Sequence, residues 1–199
     1  MIIRAKSVGL DGVCLTDHDH TWGDGFISRL RDKHDFLVIG GAEISTDEGD
    51  ILVFGLHESV RDIYDSNELR EKLDDCGGVM IMAHPFRLDP GLVGSYFAAQ
   101  GENGQPSQEI LEKVGRRDVF SILDALEVCN GQSGRQEKAF TKLVAEQVSL
   151  RGTGGSDAHA TLGVGNCYTV FEEPVANERD LIDQIKSGSF YGFDDRWKD

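Results

Sequence analysis

The sequence predicts an α/β fold assembled from successive βα units, and three observations carry that reading. Short apolar runs of strand length alternate with stretches of helical spacing through most of the 199 residues. Several of those runs stop abruptly in histidines and acids, as strands do where they deliver side chains to one rim of a parallel sheet or barrel. Hydrophobic residues make up 39% of the chain, enough for a folded core, yet no run of 18 apolar residues offers a membrane-spanning helix. The length suits one domain over residues 1–199.

In chain order, residues 1–8 fit a helix with Ile2, Ile3 and Ala5 available for burial and Gly9 as its stop. Residues 13–16 form the first strand, which runs into Asp17, His18, Asp19 and His20. That tetrad reads either as a metal-binding cluster or as a polar turn after a strand. A helix follows over 26–33, then a short strand over 36–39 whose carboxyl end carries Glu43. Residues 50–55 are a strand, 69–76 a helix closed by Gly77 and Gly78, and 79–83 a buried strand ending in His84.

From 86 to 115 the pattern weakens into an irregular, glycine-rich insertion with a short helix at 108–114, a place for a substrate-side lid. Strand character returns at 119–123 and 126–130. A helix over 136–148, a strand over 150–154 ending before Asp157 and His159, a strand over 167–171 and a helix over 178–186 complete the reading.

The N-terminus does not read as a signal peptide, because Arg4 and Lys6 fall inside its apolar stretch. The cysteines are few and widely spaced, with no CxxC, and Cys14, Cys129 and Cys167 lie in apolar strand-like runs where buried thiols are common. The expectation is a reduced, cytoplasmic protein. A net charge of −15 argues against binding a nucleic-acid duplex. It leaves room for a small phosphorylated substrate, since bound cations invert the local field.

Of six histidines, four follow predicted strands: His18, His20, His84 and His159. Asp17, Asp19, Glu43 and Asp157 accompany them. Imidazole and carboxylate together are the donor set of Mn, Fe or Zn sites. Cations so held clamp a phosphate and make a nucleophile of water. His34, at a helix end, and His57, in a loop, read as surface residues.

Five segments in register, Thr16-Asp-His-Asp19, Gly41-Ala-Glu-Ile-Ser45, Ala83-His-Pro-Phe-Arg87, Leu126-Glu-Val-Cys-Asn130 and Gly155-Ser-Asp-Ala-His159, resemble successive motifs of the PHP (polymerase and histidinol phosphatase) superfamily. The resemblance implies a distorted (β/α)7-type barrel, up to three divalent metal ions and hydrolysis of phosphate esters: phosphomonoesters, nucleotides or short oligonucleotides. It implies His18, Glu43, His84, Asp157 and His159 as metal ligands, with Glu43 bridging two ions, and Glu43 and Asp157 as catalytic residues. Asp17 would orient a ligand from behind. Where the family often places histidine after the 126–130 strand this chain has Cys129 or Asn130; a thiolate ligand and a buried inert thiol are both open at Cys129. Arg87 suits either a phosphate oxygen or a rim ion pair.

The family opens with a His-x-His strand that this sequence lacks, so the barrel is expected without its first strand and with fewer metals than the family's three. A truncated N-terminus, a strand supplied by another chain, and a natural form that keeps the fold but loses the chemistry all account for this; the first is the favoured expectation. The strand left at the margin would expose an open edge, and with it a route to homo-oligomers. A catalytically impaired metal-binding or scaffold module is the competing function. An amidohydrolase-like metal hydrolase stands further off.

Overall fold

The computed structural model describes residues 1–87, 91, 93, 94 and 106–197. Its helices are α1 (Ile2–Ser7), α2 (Asp24–His34), α3 (Ser66–Cys76), α4 (Gln108–Gly115), α5 (Arg135–Gln147) and α6 (Glu178–Ser187). Its strands are β1 (Gly12–Leu15), β2 (Leu37–Gly40), β3 (Ala42–Thr46), β4 (Gly49–Phe54), β5 (Val79–Met82), β6 (Ala125–Asn130), β7 (Arg151–Gly155), β8 (Cys167–Phe171) and β9 (Phe190–Asp194).

In α3 and α6 an apolar stripe coincides with good end chemistry. Leu69 and Leu73 of α3, four apart and fully buried, pack on the sheet. The Asp65 carboxylate accepts hydrogen bonds from the Asn67 and Glu68 N–H groups at its start, and Gly77 closes it at φ +73°. Phe140 and Val144, also fully buried, pack α5, which has no side-chain cap. Leu181, Ile182 and Ile185 pack α6, which Asn177 caps and Gly188 closes.

The fold is mixed α/β, but the strands make three sheets rather than one closed barrel. β1 and β2 pair in parallel. β3-β4-β5-β6-β7 form the central sheet, parallel only across β5-β6 and β6-β7. β3-β4 and β4-β5 are antiparallel, and β8 with β9 makes an antiparallel pair joined through α6. Uniform βα alternation therefore overstated the parallel character of the chain, for a physical reason: only two residues, Asp47 and Glu48, separate β3 from β4. Such a link permits only a hairpin, because a parallel crossover needs about a dozen residues.

The first sheet is tied to the second by backbone. Gly41 N–H donates to Leu15 O, Glu43 N–H to Asp17 O, and Asp19 N–H to Glu43 O, so β1 continues past its end alongside β3. A bridge joins His18 to Glu43 in the same register. At the other side the β8-β9 pair presses on β7 so closely that a Cβ at Gly154 would stand 2.3 Å from Tyr168 O. That is closer than any side chain permits.

Three apolar clusters hold these layers. The largest lies between β3–β6 and helices α3, α4 and α5; a second joins β4 and β5 to α6; the smallest joins Ile2, Ile27 and Val38 beneath β1 and β2.

Several expectations need correcting. Glu43 sits inside β3 and not at a strand's end, because the chain turns at Gly41 and resumes pairing. Residues 119–123 are not a strand: Asp118–Ser121 is a 3-10 turn that buries Val119 and Phe120. Cys14 is exposed, whereas Cys129 and Cys167 are buried. β9 carries no clear alternation and was not anticipated. Of the insertion, the helix forms as α4 and Phe86 lies in the main core, while 88–90, 92 and 95–105 lie outside the described residues. Among the described residues no helix is long and apolar enough to cross a membrane.

Candidate metal centre

The carboxyl ends of β1, β5 and β7 and the interior of the β3-β4 hairpin meet at one place. Glu43 is its hub. The Glu43 Oε1 lies 3.1 Å from His84 Nε2, and Oε2 lies 3.6 Å from His18 Nε2. One carboxylate thus faces two imidazoles through separate oxygens. His84 and Glu43 are buried and His18 is exposed, so the cluster runs from the interior to the rim.

Asp50 joins this group and was not singled out from the sequence. It is the second residue of β4 and pairs with Ser45, two positions along from the Glu43–Leu52 pair, which puts it on the face of the hairpin that carries Glu43. Its Oδ2 lies 3.9 Å from His84 Nε2, and its Oδ1 accepts a hydrogen bond of 2.8 Å from Ser45 Oγ. The signal that could have found it is the short Asp47–Glu48 link, which forces the hairpin and so fixes the register.

One ligand atom from each of His18, Glu43 and Asp50 lies within 4.8 Å of the other two. Donors on a single ion with bonds of about 2.1 Å stand at most about 4.2 Å apart. Side-chain movement of well under an ångström per residue would therefore close the group on a cation. Nitrogen and oxygen donors with two carboxylates also suit a divalent first-row ion. On donor chemistry and spacing, these residues fit a metal.

A second group lies beyond His84 and is already neutralised from within. Arg87 Nη2 donates to Asp157 Oδ2 at 2.5 Å and to Asn130 Oδ1 at 2.6 Å. Asn130 Nδ2 donates to Glu127 Oε2 (2.9 Å) and Asp157 Oδ2 (3.2 Å), and Asn130 Oδ1 also accepts from Gln132 N–H. His159, largely exposed, stands with Nδ1 3.4 Å from Asp157 Oδ1. The two groups join through His84, whose backbone N–H donates to Glu127 Oε2 at 2.9 Å.

The expected residues thus fall in two sets: His18, Glu43 and His84 together with Asp50, and Asp157, His159 and Arg87 together with Asn130 and Glu127. Of the alternatives after the β6 strand, Asn130 faces the site, while Cys129 packs in the main core with its thiol pKa raised by burial. Asp17 does not orient a ligand side chain among the described residues; its carboxylate accepts the Trp22 indole N–H at 2.7 Å. His57 is exposed as expected, with its ring between Asp24 and Glu178.

Electrostatics follow the geometry. Burial disfavours the charged form of His84, but the hydrogen bond to Glu43 and the charges of Glu127 and Glu43 outweigh both burial and Arg87, so its pKa is raised. Burial also pushes Asp157 toward its neutral form, yet Arg87 by hydrogen bond and charge, with Asn130, holds it below the usual carboxylate value. For Glu127 burial wins: its pKa is pushed up to about 7 against the hydrogen bonds from Asn130 and His84.

Backbone strain gathers here too. Of the five non-glycine residues with positive φ among the described residues, Asp19 (+50°), His84 (+29°) and Asp157 (+45°) all stand where a strand delivers its side chains to this rim. Each such conformation costs about 1–3 kcal/mol and persists where the surroundings impose it. The hydrogen bonds at Asp19 N–H, His84 N–H and the Asp157 carboxylate are those surroundings.

Comparison with known proteins agrees with this architecture. A family model described as PHP-associated matches residues 141–190. Uncharacterized protein MJ1587 of Methanocaldococcus jannaschii is 33% identical over 82 residues, 41% of this chain and 48% of that protein. Uncharacterized protein MJ0417 of the same organism is 26% identical over 138 residues, 69% of this chain and 52% of that protein. The chain spans about half the length of these curated relatives.

Among solved structures, PsfC from Pseudomonas syringae PB-5123 superposes with a TM-score of 0.63 at 21% identity, over 96% of this chain and 80% of that one. A "putative metal-dependent phosphoesterase" from Bifidobacterium adolescentis gives 0.54 at 16% identity, over 92% and 88%. At these identities the structures share the fold. The PHP-associated match at residues 141–190 agrees with the resemblance carried by the five motifs, and the solved structures add a shared fold.

Proposed function

We propose that the chain carries the site of a metal-dependent phosphoesterase that hydrolyses a small phosphorylated substrate: a phosphomonoester, a nucleotide or a short oligonucleotide. The observation that carries this reading is Glu43, a buried carboxylate with one oxygen toward His18 and the other toward His84, the arrangement that a shared or bridging ligand requires. His18, Glu43 and His84 would hold a divalent ion (Mn, Fe or Zn), with Asp157 and His159 as the ligands of a neighbouring position. When bound, such ions supply positive charge to the phosphoryl oxygens and lower the pKa of water.

The chain's own residues do the rest. Glu43, fixed in β3, is hydrogen-bonded to His84 at 3.1 Å and faces His18 at 3.6 Å. Glu127 holds the His84 backbone at its strained φ and so aims the imidazole. Arg87, whose side chain is partly exposed beside Asp157, would support substrate binding through the positive charge of its guanidinium.

A second reading, a PHP-fold module that binds metal but is catalytically impaired, draws on one observation: Arg87 Nη2 is already committed to Asp157 and Asn130. One experiment separates the two. The purified chain, supplied in turn with Mn, Fe(II) and Zn, is assayed on p-nitrophenyl phosphate, nucleoside monophosphates and short oligonucleotides, beside Glu43→Gln. Hydrolysis that EDTA abolishes and E43Q reduces at least 100-fold supports the enzyme. Metal binding without turnover of any ester supports the impaired module.

A further inference from the structure

We infer that Asp50 is itself a metal ligand, completing a site of two imidazoles and two carboxylates with His18, Glu43 and His84; this rests on the reading of those residues as a metal centre. Three features of the structure point to it. First, Asp50 is placed by the rigid β3-β4 hairpin and not by a loop: Ser45 pairs with it, and its backbone carbonyl accepts from Ala83 N–H, the residue next to His84. Second, Ser45 Oγ occupies Asp50 Oδ1 and leaves Oδ2 facing His84 Nε2. A hydrogen-bonding partner behind a carboxylate is how protein metal sites fix the orientation of a ligand. Third, the position that would otherwise furnish a donor is spent. Asn130 Oδ1 accepts from Arg87 and from Gln132 N–H, which uses both lone pairs of the amide oxygen.

Charge favours the same assignment. His84 and His18 are the cationic or neutral neighbours of Glu43 and Asp50 within 4 Å. Two close carboxylates repel unless a cation lies between them, and a divalent ion cancels both charges. Nitrogen and oxygen donors in equal number, with no thiolate, place the ion among Mn(II), Fe(II) and Zn(II).

Mn(II) affinity, read from the loss of the free-ion EPR signal on titrating EDTA-treated protein, tests the assignment. Wild type, Asp50→Asn, Glu43→Gln and, as a surface control, Asp62→Asn are compared, with melting of the metal-free proteins in parallel. D50N should raise the Mn(II) Kd at least 10-fold and lose most of the metal-induced rise in melting temperature. Its metal-free melting temperature should match or exceed that of wild type, because a like-charge contact has been relieved. A residue serving structure alone would show the reverse pattern.

Unchanged affinity in D50N while E43Q loses binding overturns the assignment of Asp50 and leaves the centre standing. Unchanged affinity in both removes the centre as well. Should D50N fail to fold, Asp50→Ser, which keeps a small polar side chain on β4, is read by the same titration against the same outcomes.

Discussion

Substituting Gly155 by alanine should damage the site from a distance, through Glu127. Gly155 is the last residue of β7, and its φ is not in the left-handed region, so its backbone accepts alanine. The obstacle is a single atom: the new Cβ would stand 2.3 Å from Glu127 Oε1. That carboxylate cannot simply swing aside, since its other oxygen is held by His84 N–H and Asn130 Nδ2 at 2.9 Å each.

Overpacking of a buried site costs about 1–3 kcal/mol. Weakening a hydrogen bond to a charged group adds about 1.5–3 kcal/mol. We therefore expect G155A to cost roughly 2.5–6 kcal/mol, a melting temperature lowered by about 5–24 °C for a chain of this size. The assay is a double-mutant cycle by urea and thermal unfolding of wild type, G155A, E127A and E127A/G155A. With the carboxylate gone the methyl group enters vacated space, so G155A should cost close to nothing in the E127A background. Costs that add to within about 0.5 kcal/mol would refute the reasoning, because they would mean that the two residues do not meet.

Other expectations concern the rest of the molecule. Asp194 is drawn up by burial, but hydrogen bonds from Arg196 and Lys138 hold it well below the usual carboxylate range. Its side chain and that of Lys138 are only 10% and 8% exposed, so Asp194→Asn should cost roughly 3–5 kcal/mol at neutral pH, the scale for breaking a buried pair. A depressed carboxylate stabilises the fold above its unfolded pKa of about 3.9 and ceases to as pH falls further. D194N should therefore flatten the acid side of the stability–pH curve below about pH 4, and an unchanged slope there would contradict the pairing. β1 pairs with β2 along one side, and no other described strand pairs with it. We expect self-association through that edge, seen as a concentration-dependent mass by light scattering and weakened by Cys14→Lys on its exposed face; a monodisperse monomer at high concentration would contradict it.

The sequence made the ends of β1, β5 and β7 legible because each is an apolar run that stops in a cluster of histidine or acid. Such a pattern has few readings once a parallel rim is assumed. Asp50 was not legible in the same way. Its closeness to His84 depends on an antiparallel register, and register is a property of two strands and their link, not of either alone. Glu127 carries a clue in the sequence itself. A carboxylate in the middle of Ala125–Asn130, where every residue is buried, must find hydrogen-bond donors.

The β6 strand also explains why composition alone misjudges how the site is neutralised. Its pairing with β7 slips between Glu127 and Cys129. Without that bulge, alternation would put Glu127 and Cys129 on one face and turn Asn130 away. With it, Glu127 and Asn130 face the site together and Cys129 enters the core. An amide that both donates and accepts then ties Arg87, Asp157 and Glu127 into one network, so this half of the rim is compensated by the protein's own guanidinium. The other half, Glu43 and Asp50, has imidazoles for its cationic neighbours and, among the described residues, no arginine or lysine within ion-pair distance. An added cation therefore gains most at Glu43 and Asp50, and must displace Arg87 before it can gain at Asp157. The first metal to bind should occupy the β3-β4 side of His84.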